Sequence, residues 1–102
     1  MDLSSIRGAY TDLDDIWEYI AGENLGAADR VIEEIFNAIR SLIAFPDQAH
    51  ERPDLSGRTL RFQAVGEYLI AYAPNEKPLL VIGVLHGRRS PRVIAAILEQ
   101  RS

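Results

Sequence analysis

Apolar residues in the first part of the chain recur with the period of an α-helix. Between Ile6 and Ile20 each apolar residue follows the previous one by either three positions or one position. This spacing places them on one face of a helix and predicts an amphipathic helix. Ser4 or Ser5 is the predicted N-cap, and Gly22 is predicted to end the helix in a left-handed conformation. The acidic residues lie off this stripe and are expected to face water: Asp12, Asp14, Asp15 and Glu18.

A second helical stripe runs from Ala28 to Ile43, with Asn24 as its predicted N-cap and Pro46 as the residue that cannot continue it. The short link between the two helices predicts an antiparallel helical hairpin. Trp17 and Phe36 lie on the two stripes, so both are expected to be core contacts between the helices or with a sheet.

The pattern changes to strands in the second half of the chain. Residues 46–57 have the composition of a loop, and Gly66-Glu67 and Pro74–Pro78 have that of turns. Short connections of this kind predict an antiparallel meander. Its strands are predicted at Arg58–Val65, with Leu60 and Phe62 on one face, at Tyr68–Ala73, and at Leu79–Leu85, an apolar run expected to be a central strand covered on both faces.

Ser90 and Pro91 look like the cap and first-turn proline of a C-terminal helix, Pro91–Gln100. Residues 1–5 are ambiguous, although a short strand is one reading of them. The outline is an α+β fold of the form (β)ααβββα, in which a helical hairpin covers one face of a small antiparallel sheet. The 102 residues fit one domain, residues 1–102.

Composition narrows the functional classes. The chain has no cysteine, and its two histidines are far apart, so neither a metal site nor a cofactor is expected. No apolar run reaches the ~18 residues of a membrane span, and the N-terminus does not resemble a secretory signal. These features fit a cytoplasmic protein.

Charge is divided unevenly along the chain. Residues 1–51 contain three arginines and eleven acidic residues, a balance of −8, whereas residues 52–102 carry seven arginines, one lysine and four acidic residues, a balance of +4. The split predicts an acidic face and a basic face. The basic half has the chemistry to meet a nucleic acid, an acidic peptide or an acidic protein, or to be a solvated surface.

An ordered set of short segments resembles the ParE branch of the ParE/RelE toxin superfamily, from about Ala9 to Arg89. The segments are Asp12-Leu13-Asp14-Asp15-Ile16-Trp17-Glu18-Tyr19-Ile20-Ala21, Ala27-Ala28-Asp29-Arg30, Leu42-Ile43-Ala44-Phe45-Pro46, Arg52-Pro53-Asp54-Leu55, Leu60-Arg61-Phe62, Tyr68-Leu69-Ile70-Ala71-Tyr72 and Val84-Leu85-His86-Gly87-Arg88-Arg89. The resemblance implies a toxin of a type II toxin–antitoxin (plasmid stabilisation) system. Such a toxin is neutralised by a small ParD-like antitoxin that folds into a groove between the helical hairpin and the sheet.

The resemblance leaves three activities open. ParE-type members poison DNA gyrase, and RelE-type members cut messenger RNA on the ribosome. A third possibility is an inert or regulatory relative that acts only in the antitoxin complex and meets operator DNA through the antitoxin. RelE-type strands usually carry an arginine where this chain has Leu69, and the single lysine, Lys77, lies in a later turn. Together with the net charge of −4, these departures favour a gyrase inhibitor over a ribonuclease.

The candidate site residues come from the basic half. Arg61, His86 and Arg89 are weak candidates for RNA cleavage, with His86 as acid or base and the arginines on phosphate. Tyr68 and Tyr72 share one strand face and either pave a groove floor or pack in the sheet. His50, beside Glu51 in a loop, is expected to be ordinary surface. The full set expected to bind antitoxin or target is Arg58, Arg61, Tyr68, Tyr72, His86, Arg88 and Arg89.

An apparent surplus of apolar residues supports a partner. Six of them do not all fit one small core, which predicts an exposed apolar patch that an amphipathic antitoxin helix would bury, with an added strand at the sheet edge as an extension. The six are Leu3, Ile6, Leu13, Val65, Leu85 and Val93. Acidic antitoxin residues near Arg58, Arg61 or Arg88 would add charge-assisted hydrogen bonds.

Overall fold

The computed structural model describes residues 9–56 and 59–101. Four strands form one antiparallel sheet in the order β1-β2-β3-β4. In chain order the elements are α1 (Tyr10–Ala21), α2 (Leu25–Ala44), β1 (His50–Glu51), β2 (Arg61–Val65), β3 (Tyr68–Ala73), β4 (Leu80–His86) and α3 (Pro91–Gln100). The predicted α+β class and its order of helices and long strands are confirmed. The strand considered for residues 1–5 lies outside the described residues. The predicted cap at Ser4 or Ser5 is wrong, because α1 begins at Tyr10 and its N-cap is Ala9, which offers no side-chain hydrogen bond.

The predicted loop of residues 46–57 contains the short strand β1. His50 pairs with Phe62 and Glu51 with Arg61, in antiparallel register. The periodicity of side chains gave no sign of it because two residues are too few to alternate, and because both side chains are exposed. Backbone pairing alone makes this strand.

The helical hairpin forms as predicted, except at its turn. Asn24 caps α2, since its side-chain oxygen accepts a hydrogen bond of 2.9 Å from the Ala27 backbone N–H. Gly22 is right-handed, with φ −58°, so the predicted left-handed ending of α1 is wrong. The extended backbone of Asn24, with φ −157°, turns the chain instead. None of the described helices, the 20-residue α2 included, is apolar enough over its length to cross a membrane.

The sheet has a hydrophobic core on each of its faces. On one face α1 and α2 pack against β3 and β4, and on the other face α3 and the loop before β2 pack against the same strands. The first core includes Leu13, Ile16, Ile35, Ile39, Leu42, Ile70, Tyr72, Val81 and Val84. The second includes Leu55, Leu60, Phe62, Ala71, Ile82, Leu85, Ile94 and Leu98.

The presence of two cores accounts for part of the apparent apolar surplus. Leu13 and Leu85 are both buried, but on opposite faces of the sheet, so the assumption of a single core was wrong. Val65 is half-buried, and Val93 is 45% exposed on α3. Leu3 and Ile6 lie outside the described residues.

Two further expectations need correction. The apolar run of β4 is covered on both faces as predicted, yet β4 stands at the end of the strand order and is not central. Trp17 is 37% exposed, and its indole N–H donates a hydrogen bond of 2.9 Å to the Asp29 carboxylate of α2. Trp17 therefore joins the two helices at the surface, whereas Phe36 packs half-buried against the first core.

We expect Leu98→Ala to lower the free energy of unfolding by about 2–5 kcal/mol, because Leu98 is buried in the second core and its removal leaves a cavity. Val93→Ala on the same helix is the control, since Val93 is 45% exposed and should cost much less. Urea denaturation measures both. Equal effects of the two substitutions would mean that α3 does not build a core of its own.

Candidate functional site

A groove of about 1060 Å³ opens at the end of the sheet where β3 begins and β4 ends. The helical hairpin forms one side of it, α3 and its C-terminal end form the other, and the turn between β2 and β3 lies at its rim. Several half-buried apolar side chains line it, namely Ile20, Val31, Val65, Tyr68 and Ile97. Tyr19 of α1 also lines the groove and is 82% exposed. The groove therefore presents apolar surface that the chain itself leaves partly uncovered.

The rim of the groove is shaped by two glycine-containing turns. Gly66, with φ +57°, takes the first position of the two-residue β2–β3 loop, a position that favours glycine because it needs a positive φ. The Gly87 N–H donates a hydrogen bond of 2.8 Å to the Glu67 carbonyl, which ties the end of β4 to this loop. A Cβ on Gly87 would lie 3.2 Å from that carbonyl oxygen, so the approach favours glycine.

Strand register brings Tyr68 and His86 together in the groove. The two residues are cross-strand partners, and their rings meet edge to face with centroids 5.2 Å apart. Burial raises the pKa of the Tyr68 hydroxyl above its usual value, and the negative charge of Glu67 adds to the effect. Tyr68 is therefore a neutral hydroxyl at physiological pH and offers a hydrogen-bond donor at the edge of an apolar surface.

The imidazole of His86 is held by its neighbours. Its Nδ1 accepts a hydrogen bond of 3.0 Å from the Arg88 backbone N–H, and its Nε2 lies 3.7 Å from a Glu67 carboxylate oxygen. In the neutral ring, an accepting Nδ1 places the proton on Nε2, so neither nitrogen has a free lone pair to take a proton from a substrate. The arrangement suits a binding role better than that of a general base.

Opposite charges meet across the groove. The hairpin side contributes the carboxylates of Asp15 and Glu34, and the β4 end contributes the exposed guanidinium groups of Arg88 and Arg89. Arg88 lies 3.3 Å from Glu67, but both side chains are largely exposed, so this pair is worth little. The division of charge seen along the sequence thus reappears as two differently charged sides of one groove.

Asp12 and Arg101 also line the groove. Asp12 was expected to face water, but it is 9% exposed and forms two hydrogen bonds with the Arg101 guanidinium. The Asp12 carboxylate raises the pKa of Arg101, and it also accepts a hydrogen bond of 3.0 Å from the Val84 backbone N–H. The sequence could have indicated this burial. Asp12 is three positions after Ala9 and four before Ile16, so it shares a helix face with these two buried residues.

Two of the predicted site residues lie at the opposite end of the sheet. Arg61 pairs with Tyr72, four positions along β3 from Tyr68, and donates a hydrogen bond of 2.6 Å to the Ala49 carbonyl. Tyr72 is fully buried, and its hydroxyl donates to the Pro46 carbonyl. The proposed grouping of Arg61 with His86 and Arg89 in one phosphate site is therefore not present, because antiparallel register separates them.

The structure thus brings together four of the predicted residues in the groove and separates the others. Tyr68, His86, Arg88 and Arg89 line it. Arg58 lies outside the described residues, and His50 is exposed on β1. The sequence analysis did not single out four groove residues: Asp12, Tyr19, Glu67 and Arg101. Within the described ranges, no three His, Asp or Glu side chains are grouped so as to hold a metal ion.

Comparison with known families gives one match. Residues 7–91, most of the chain, match the family model described as ParE toxin of type II toxin-antitoxin system, parDE. The three helices and the antiparallel sheet are consistent with the RelE/ParE-like fold. A search of curated proteins finds no match.

We expect Tyr72→Phe to cost about 1 kcal/mol of stability near neutral pH, because it removes the hydrogen bond to Pro46. Burial raises the pKa of Tyr72 in the folded chain. Above pH ~10 the unfolded chain therefore loses this proton first, and the wild-type chain is destabilised. In denaturant titrations, the difference in free energy of unfolding between wild type and variant should become smaller from pH 8 to pH 11. A constant difference would contradict the buried, protonated hydroxyl.

Proposed function

Because this chain belongs to the ParE toxin family of type II toxin–antitoxin systems, we propose that its groove binds a segment of a ParD-like antitoxin and that the free toxin inhibits DNA gyrase. Family membership implies an antitoxin partner. The observation that carries the proposal is the groove itself, in which Tyr19 and the half-buried residues Val31, Val65 and Ile97 form an uncovered apolar surface.

An amphipathic helix with charges at its edges fits this surface best. Its apolar face would cover the groove lining, in the manner of a helix bound in a groove. Acidic side chains of the antitoxin would meet Arg88 and Arg89, and basic ones would meet Asp15 and Glu34. Opposite charges on the two sides of the groove would fix the direction of the bound helix. The result would be a hetero-oligomer in which the antitoxin carries any contact with operator DNA.

Neutralisation would follow from this placement. Arg88 and Arg89 are exposed beside the groove, so a bound antitoxin would cover the cationic groups best placed to contact an acidic target surface. The toxin would then act by binding its target and not by chemistry of its own. A gyrase target places this activity in the bacterial cytoplasm.

Four observations favour this role over that of an mRNA endonuclease. Leu69, the position of the RelE-type arginine, packs against the second core and is not among the side chains that line the groove. The His86 Nδ1 already accepts a hydrogen bond from the Arg88 backbone N–H, and Arg61 is at the far end of the sheet. Carboxylates of Asp15, Glu34 and Glu67 in the groove would also repel an RNA backbone.

The activity can be tested with purified protein, gyrase and supercoiled plasmid, beside a ribosome–mRNA cleavage assay. We expect cleaved plasmid to accumulate, and the product of the neighbouring open reading frame to prevent this. Arg88→Ala with Arg89→Ala should reduce the accumulation at least several-fold, whereas the exposed Arg92→Ala on α3 should not. Cut message would support the endonuclease instead, and no effect in either assay would support a regulatory relative.

Antitoxin binding in the groove can be tested at Tyr19. We expect Tyr19→Ala to weaken the affinity for the antitoxin about tenfold or more, because an aromatic side chain that becomes buried at an interface is often a hot spot. Stability should hardly change, since the side chain is 82% exposed. Tyr10→Ala is a matched control on the same helix outside the groove lining. Isothermal titration calorimetry measures both, and wild-type affinity for Tyr19→Ala would place the antitoxin elsewhere.

A further inference from the structure

The outer edge of β4 is an unusual place for two charged side chains. In the described part of the chain β4 has one strand neighbour, β3, and its seven residues Leu80–His86 are mostly apolar. A long apolar edge strand offers backbone N–H and C=O groups to any other strand, and proteins normally protect such edges. Here the protection comes from Asp12 of α1 and Arg101 at the end of α3.

Asp12 and Arg101 take the backbone groups that an added strand would need. The Asp12 Oδ2 accepts a hydrogen bond of 3.0 Å from the Val84 N–H, and the Arg101 Nη1 donates one of 3.3 Å to the Ile82 carbonyl. An added strand would likewise supply one acceptor to the N–H of one edge residue and one donor to the carbonyl of the residue two positions before it. The two side chains also bind each other through two hydrogen bonds, so they occupy the edge as a unit.

Gly83 gives the pair room to reach the backbone. A Cβ at this position would lie 2.7 Å from the Arg101 Nη1 and 3.3 Å from the Asp12 Oδ2. Gly83 has no positive φ, so its conformation does not account for the glycine. The pairing of β4 with β3 is also irregular here. Val81 and Gly83 are two positions apart, but their partners in β3 are adjacent, so β4 has one extra residue. Bulges of this kind are a common way to disrupt an exposed edge.

We propose that Asp12, Gly83 and Arg101 form an edge lock that closes β4 to strand addition and prevents a second copy of this chain from pairing with it. A second copy is the expected occupant of the unlocked edge because antiparallel pairing of two β4 strands about a twofold axis matches the same backbone groups on both sides. Asp12 and Arg101 also line the groove proposed to bind the antitoxin, but the edge lock does not depend on the target of the toxin.

The test compares the full chain with the double variant Asp12→Ala/Arg101→Ala, which opens the edge without leaving one buried charge unpaired. We expect sedimentation velocity to show a monomeric wild type and a concentration-dependent dimer of the variant. In dilute, monomeric samples, the Val84 amide of the variant should exchange its hydrogen at least tenfold faster. The control Asp14→Ala/Arg92→Ala makes the same change in net charge at exposed positions of α1 and α3 and should behave as wild type.

Gly83→Ala provides a second variant, because its Cβ would displace the Arg101 guanidinium while both charged groups remain, and it should also dimerise. Slow exchange of the Val84 amide in the unaltered chain is a further expectation that needs no variant. The proposal is overturned if that amide exchanges as fast as an open amide in wild type. It also fails if the folded double variant stays monomeric, or if its dimer leaves the Val84 amide unprotected.

Discussion

The structure depends on the burial of β4 on both of its faces. Val81 and Val84 point into the core beneath the helical hairpin, whereas Ile82 and Leu85 point into the core beneath α3. A strand covered in this way connects two cores that neither set of helices could complete alone. Net stabilities of small domains are only about 5–15 kcal/mol, so a defect in either core is expected to matter.

The groove follows from this arrangement. The hairpin and α3 cover opposite faces of the sheet, and they leave partly uncovered side chains at the end where β3 begins and β4 ends. Because the acidic half of the chain makes the hairpin and the basic half makes β2, β3, β4 and α3, the two sides of the groove differ in charge. An uncovered apolar surface between opposite charges suits a peptide segment better than it suits a nucleic acid.

Local pattern was enough to predict the three helices and the three longer strands, but not β1 or the long-range partners of the elements. The stripe of α2, its Asn24 cap, β3 and α3 were all predictable because each depends on neighbours a few residues away. The burial of Asp12 depends on Arg101, 89 positions later, and no local period reports that distance. Arg61 and His86 both lie at strand ends, but only the register shows that these are opposite ends of the sheet. Four of the candidate residues nevertheless lie in one groove, because they belong to two adjoining segments, around Tyr68 and after Leu85.

Amide hydrogen exchange of the toxin with and without its antitoxin is the most direct test that the groove is the binding surface. The account predicts new protection in α1 around Tyr19, in residues 65–68 and in residues 86–89, all of which adjoin the groove. Little change is predicted at β1 and Arg61, at the far end of the sheet. Protection confined to that far end, with none around Tyr19 and Tyr68, would contradict the account.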